Sequence, residues 1–283
     1  MTGHFDTRRL PAVEDWPTSP QEENLANLNR SRSRWWTHLA LLTCYPIALG
    51  VIGFFSRAGS NQPLLPTDPA ALVSVMVFEL LLFTVVFGAA WGASRASAEE
   101  LLLRWRGGVR PVIRGLLYSI GLRLGIAIIA ISMAGVLAAA GVSRSALQNL
   151  QPSTEELVNA RVLVDNPLYL WLNLTLVSFV VGGVREELWR AGMFAGLAAL
   201  FPRSFQNFRG KIAAAAFVGV VFGLGHLPQG WGGVLMTGIL GLGLGVIMLW
   251  HRSMWEAAFA HGLFDATSFV FLYLIARFRL GLT

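Results

Sequence analysis

The chain has 283 residues, 54% of them hydrophobic and only 13% charged, where soluble chains carry about 25% charged residues. That little charge cannot solvate the surface of a soluble domain of this size, and the mean hydropathy of +0.57 points the same way. With one cysteine, a net charge of +6 and apolar runs filling most of the sequence after residue 36, a disulfide scaffold, a coiled coil and a nucleic-acid-binding domain are excluded.

Residues 1–34 are polar and carry mixed charges, so they read as a largely disordered tail. The start has no apolar h-region and is not expected to be a cleavable signal peptide. Trp35 and Trp36 follow where an interfacial anchor would sit. A spanning helix needs about 20 mostly apolar residues. Runs of that kind are predicted at roughly 36–56, 70–94, 112–141, 167–200, 211–227, 233–250 and 255–277. The fourth is long enough to be two elements. The expected fold is an all-α, polytopic transmembrane bundle of about seven to eight helices. It divides into a tail at 1–34, N-terminal membrane helices at 35–164 and a C-terminal region at 165–283.

The basic residues are all Arg except Lys211, and they gather in the tail, the 95–111 loop and the 201–211 loop. With seven spans these fall on one side, which the positive-inside rule makes cytoplasmic. The expected protein is a multi-pass membrane protein with a cytoplasmic N-terminus. Arg277 and Arg279 then lie outside, a misfit that an eighth or re-entrant helix would remove.

Charges at membrane depth cost roughly 2.5–3.5 kcal/mol even on the lenient insertion scale, so each needs a reason. Three clusters stand out. The first is Arg185-Glu186-Glu187-Leu188-Trp189-Arg190 in the fourth run. Arg190 is three residues from Glu187 and four from Glu186 and can reach either. A catalytic carboxylate with a supporting ion pair, or a helix end with snorkelling arginines, would both look like this. The second is Phe222-Gly223-Leu224-Gly225-His226, where a lone histidine near a helix end is commonly structural. The third is His261 with Asp265, whose i, i+4 spacing puts imidazole and carboxylate on one helix face. Each has a bland reading alone. Together they place two Glu, two His and one Asp on three helices of one apolar bundle, enough to line a catalytic cavity.

The ordered set Glu-Glu…Arg, Phe-x-x-x-His and His-x-x-x-Asp resembles the CPBP family of intramembrane proteases. That family holds CAAX prenyl endopeptidases and bacteriocin-processing or lysostaphin-resistance-like proteins. The resemblance covers about residues 165–275 and marks 165–283 as the expected catalytic region. It implies an intramembrane endopeptidase acting on a membrane protein or lipidated peptide in the bilayer, with no nucleic acid and no cofactor. It implies Glu186 as general base on the attacking water and His226 as its partner. Glu187 would pair with arginine, His261 and Asp265 would hydrogen-bond the oxyanion, and Phe222 would shape the pocket. Two positions depart from the family pattern. Ala191 stands where the family has its arginine, with Arg190 one residue early, which leaves open which Glu is the base. Asp265 stands where Asn is common, and an ionised Asp accepts hydrogen bonds but donates none.

No serine or cysteine nucleophile stands in the motifs. Zinc held by His226, His261 and a Glu is the alternative mechanism, though no HExxH is present. An inactive scaffold or immunity-type protein, and a transporter, are the non-protease alternatives. Counting 1.5 Å per residue, Glu186 and His226 share a depth, whereas His261 sits too near its helix start to meet them. The Pro228–Gly233 stretch is therefore expected to be irregular, inside the membrane layer and beside the cavity. The fourth run is expected to extend into the cytoplasm.

Overall fold

The computed structural model describes residues 22–57, 63–105, 107–149 and 157–280. Seven helices among them are long and apolar enough to cross a membrane. They are α1 Glu22–Ser56, α2 Pro69–Ser94, α3 Arg110–Ala139, α4 Pro167–Leu200, α5 Phe208–Gly225, α6 Gly230–His251 and α7 Trp255–Leu280. No strand occurs among the described residues. The protein is an integral, multi-pass membrane protein, and each of the seven predicted runs is one of these helices.

Three boundaries differ from expectation. Helix α1 begins at Glu22, inside the segment read as a tail. Residues 1–21 lie outside the described residues. The fourth run is a single helix, and α7 continues to Leu280 with no eighth span among the described residues, so the Arg277 misfit stands. The irregular link is shorter than Pro228–Gly233. It is one 3₁₀ turn, Leu227–Gln229, after which α6 starts at Gly230. Gly230 has φ +74°, a conformation glycine adopts without penalty, and that lets the chain reverse in so few residues.

The local sequence explains the helix ends. Asp68 caps α2 through Ala71 N–H at 2.8 Å, and Asn207 caps α5 through Gly210 N–H at 2.7 Å. Pro69 and Pro167 occupy first-turn positions where no N–H is needed. Glycine governs how closely α5 and α6 approach. A Cβ on Gly223 would stand 2.4 Å from the Val234 carbonyl oxygen, and one on Gly219 would stand 2.8 Å from that of Gly238. Such small-residue seams replace the hydrophobic drive that helices lack in lipid.

Helix α1 is tied to its neighbours by polar contacts beside the core. Pro46 has no N–H, so the Leu42 carbonyl loses its helical partner. The Trp189 indole N–H donates to that oxygen at 2.8 Å. The buried His38 ring lies 2.9 Å from both the Ala90 and Gly192 carbonyls, joining α1, α2 and α4.

The two ends of the bundle differ in charge. Met254 N–H and the Trp255 indole bond the Leu102 and Leu103 carbonyls, and Trp36 packs edge-on to Phe201. Thus the start of α1 and the links after α2, α4 and α6 share one end. Among the described residues that end carries Arg30, Arg32, Arg34, Arg95, Arg104, Arg110, Arg114, Arg203, Arg209, Lys211 and Arg252. The opposite end, where Leu65 N–H bonds the Leu157 carbonyl, carries Arg57, Arg144, Arg161, Arg277 and Arg279.

Candidate functional site

Helix α4 changes pitch where the chemistry lies. Residues Asn173–Glu186 form a π-helix with i→i+5 bonding, and Glu187–Leu200 is α-helical. The Ser178 hydroxyl donates to the Asn173 carbonyl at 2.6 Å, and the Asn173 amide donates to the Tyr169 carbonyl at 2.8 Å. Wide turns of this kind inside α-helices gather at functional sites. Here the pitch changes between Glu186 and Glu187. Gly182 and Gly183 on the wide turn let α7 press in. A Cβ on Gly182 would stand 2.6 Å from the Asp265 carboxylate, and one on Gly183 would stand 2.9 Å from the Ala258 carbonyl oxygen.

The adjacent carboxylates point to different surroundings. The Glu187 side chain is 0% exposed and accepts from both the Arg190 guanidinium and His261 Nδ1, the latter at 2.8 Å. Arg190 is also 0% exposed, and its guanidinium lies 4.6 Å above the Phe222 ring. Thus Arg190, displaced by one residue from the family position, takes Glu187 rather than Glu186. Glu186 is 14% exposed, bonds Arg185 at 2.7 Å and lines a cavity of about 900 Å³.

The three motifs converge on that cavity. His261 Nε2 is 3.7 Å from Glu186 Oε2 and 3.6 Å from Asp265 Oδ2. His226 follows the end of α5, and its Nδ1–H donates to the Phe222 carbonyl at 2.8 Å, leaving Nε2 for the cavity. The Phe222 ring binds the cluster together. Its centroid is 4.6 Å from that of His226, 5.9 Å from that of His261 and 6.0 Å from that of Trp189. Glu186, His226, His261, Asp265 and Phe222 all line the cavity, whereas Glu187 and Arg190 stand behind its wall.

The meeting of Glu187 and His261 resolves the depth conflict. Glu187 lies thirteen residues before Leu200, about 20 Å, and His261 six after Trp255, about 9 Å. Their contact requires the end of α4 to overrun the start of α7 by about 10 Å, or an equivalent tilt. Pro228 and Gln229 line the cavity as expected for the link beside the site, whereas Trp231 belongs to helix α6.

Sequence reasoning missed three ionisable residues of the same cavity: Tyr45 on α1, Glu79 on α2 and Arg123 on α3. Arg185 donates to the Tyr45 hydroxyl at 3.4 Å. Arg123 Nη2 donates to the Phe264 carbonyl at 2.6 Å and the Thr267 hydroxyl at 2.7 Å, with its guanidinium 4.4 Å over the Phe264 ring. The signal was available, since Glu79 and Arg123 are charges in apolar runs and fall under the rule that exposed the three motifs.

As for metals, no group of three or more His, Cys, Asp or Glu side chains is arranged to hold one among the described residues.

The fold and cavity define a class, the polytopic helical membrane proteins with a polar site buried between their spans. Within that class, residues 167–267 match the family model described as type II CAAX prenyl endopeptidase Rce1-like, in agreement with the resemblance read from the motifs. The matched stretch runs from the start of α4 into α7 and contains all three clusters. It indicates a membrane protease of the CAAX endopeptidase kind. No curated protein and no solved structure matches the chain.

Proposed function

We propose that this protein hydrolyses a peptide bond of a membrane-associated substrate, of CAAX type or related, through a water activated by Glu186. The observation that carries this is the division of labour between neighbours. Glu186 opens on the cavity beside two imidazoles, while Glu187 is sealed behind it by Arg190 and His261. The water oxygen attacks the amide carbon and its proton passes to Glu186. The tetrahedral intermediate collapses as that proton moves to the leaving nitrogen, giving a carboxylic acid and an amine, which ionise to carboxylate and ammonium. His226 Nε2 accepts a hydrogen bond from the water and orients it. His261 faces the developing oxyanion through Nε2. Nδ1 already donates to Glu187, so the donating form is the imidazolium, and Asp265 is its counter-ion. Asp265 in this reading orients His261 and does not itself donate to the oxyanion. Glu187 and Arg190 are positioning residues, and Phe222 shapes the wall. The N-terminus is cytoplasmic by the charge difference between the two ends.

The test is cleavage of membrane-anchored or C-terminally lipidated peptides by the purified protein in detergent. Glu186→Gln is expected to abolish cleavage while the protein stays folded. Full activity in both Glu186→Gln and Glu187→Gln would end the proposal and favour an inactive scaffold.

One observation favours zinc as a second reading. Both histidines commit Nδ1 to an oxygen acceptor and turn Nε2 toward the cavity, the arrangement that metal-bound histidines use. Chelation separates the two readings. Loss of activity with rescue by zinc selects the metal.

A further inference from the structure

We propose that Arg123 anchors the C-terminal carboxylate of the substrate, holding a free chain end about three residues beyond the bond that is cleaved. This rests on the peptidase reading above and names the side chain by which that site would select its substrate.

Arg123 is a charge that the catalytic cluster leaves unused. It lies thirteen residues after Arg110 and sixteen before Ala139, near the middle of α3 and outside the stretch that matches the family model. A guanidinium at that depth is costly unless it faces a polar cavity or an opposite charge. Arg123 lines the cavity, yet no carboxylate forms an ion pair with it among the described residues. The acids of the cavity are engaged elsewhere. Glu186 bonds Arg185 at 2.7 Å, and Glu79 lies in the field of Arg185. Asp265 is the acid whose charge reaches Arg123, but its ion pair is with His261 Nε2 at 3.6 Å. The imidazolium of the mechanism above neutralises it there.

Helix α7 holds the guanidinium ready. Nη2 donates to the Phe264 carbonyl at 2.6 Å and to the Thr267 and Ser268 hydroxyls at 2.7 and 3.1 Å. The Phe264 and Phe271 rings lie 4.4 and 5.4 Å from its central carbon. All of these hydrogen bonds fall on one nitrogen. Nε and Nη1 bond no protein atom among the described residues, and neither is sealed in protein. Three N–H groups thus remain on a fixed, planar cation, which is what a carboxylate accepts from most strongly. A tie between α3 and α7 alone would need only a neutral donor and would not carry a charge into the membrane.

The spacing fits a short chain end. Thr267 and Ser268 lie six and seven residues after His261, about 9–10 Å along α7. Extended chain covers about 3.3–3.6 Å per residue, so that gap is spanned by about three residues. The scissile carbonyl then sits between Glu186 and His261 Nε2, and a free carboxylate reaches Arg123. A CAAX box ends in such a carboxylate.

The test uses one peptide made twice, lipidated on a cysteine four residues from its end and finishing in a free carboxylate or a carboxamide. In detergent the wild-type protein is expected to cleave the acid with a kcat/KM about tenfold or more above that of the amide, mainly through KM. Arg123→Gln is expected to abolish that preference, and Arg123→Lys, which keeps the charge, to retain part of it. Equal cleavage of both peptides by the wild type overturns the proposal. So does an unchanged preference in Arg123→Gln, or an equal loss on both peptides, which leaves Arg123 a structural tie. Should Arg123→Gln not fold, loss of the whole preference in a folded Arg123→Met replaces it as the expected result, and a preference kept by that variant overturns the proposal. A second arm measures binding of both peptides to Glu186→Gln by fluorescence anisotropy, with and without Arg123→Gln. Tighter binding of the acid, lost with Arg123→Gln, is expected; equal binding overturns the anchor. If the wild type cleaves neither peptide, the peptidase reading fails, and the binding arm alone decides the carboxylate site.

Discussion

Glu186 and Glu187 are consecutive, yet one lines the cavity and the other is fully buried. Adjacent residues on a helix point about 100° apart, and the pitch change at this peptide separates their surroundings further. Glu186→Gln keeps the size and loses the base, so cleavage in detergent is expected to fall on the order of 100-fold or more with the melting temperature little changed. Arg190→Ala acts in another way. It leaves the fully buried Glu187 without its guanidinium and empties the space over Phe222. Removing one partner of a buried pair costs about 3–5 kcal/mol, so a clear drop in melting temperature is expected. Cleavage is also expected to resist strong chelators under the glutamate mechanism. The presence of Glu186, Glu187, His226 and His261 could be read from the sequence. Their partners could not, because Arg190 at i+3 and i+4 satisfies either carboxylate on paper.

At the scale of elements, glycine spacing carries the packing. Gly223→Leu would drive a side chain into the Val234 backbone, which cannot retreat without parting α5 from α6. Overpacking costs about 1–3 kcal/mol, and here it would also move Phe222 and His226, which lie on the same turns. The expected result is lower thermal stability together with lower cleavage, measured on the same detergent preparation. The seven runs and the helix break near Pro228 were legible, because hydrophobic length and Pro/Gly content are local properties. The π-helical stretch was not. An apolar run such as Asn173–Glu186 fits either pitch, and its choice depends on the pressure of α7 against Gly182 and Gly183.

Across the whole molecule, apolar side chains form a lipid-facing belt that includes Phe55, Phe78, Val85, Ile128, Ile131 and Trp250, each well exposed. No soluble protein leaves such a surface to water. Alkaline carbonate washing of membranes is therefore expected to leave the protein in the pellet, and its recovery in the supernatant would contradict a multi-pass arrangement. The same scale explains the overrun of α7 by α4. Counting residues from loops assumed that helices start at one plane, whereas the contact of Glu187 with His261 shows that they do not.

The sequence alone determined the number and order of the spans, the three polar clusters, the family resemblance and the uneven charge of the loops. These depend on composition and on spacing within one helix, where the periodicity of the chain dictates what shares a face. Only the tertiary structure decided which carboxylate faces the cavity and that Tyr45, Glu79 and Arg123 join it. Those facts depend on the relative height and rotation of helices far apart in the chain, set by glycine seams and a shifted helical pitch that hydropathy does not register.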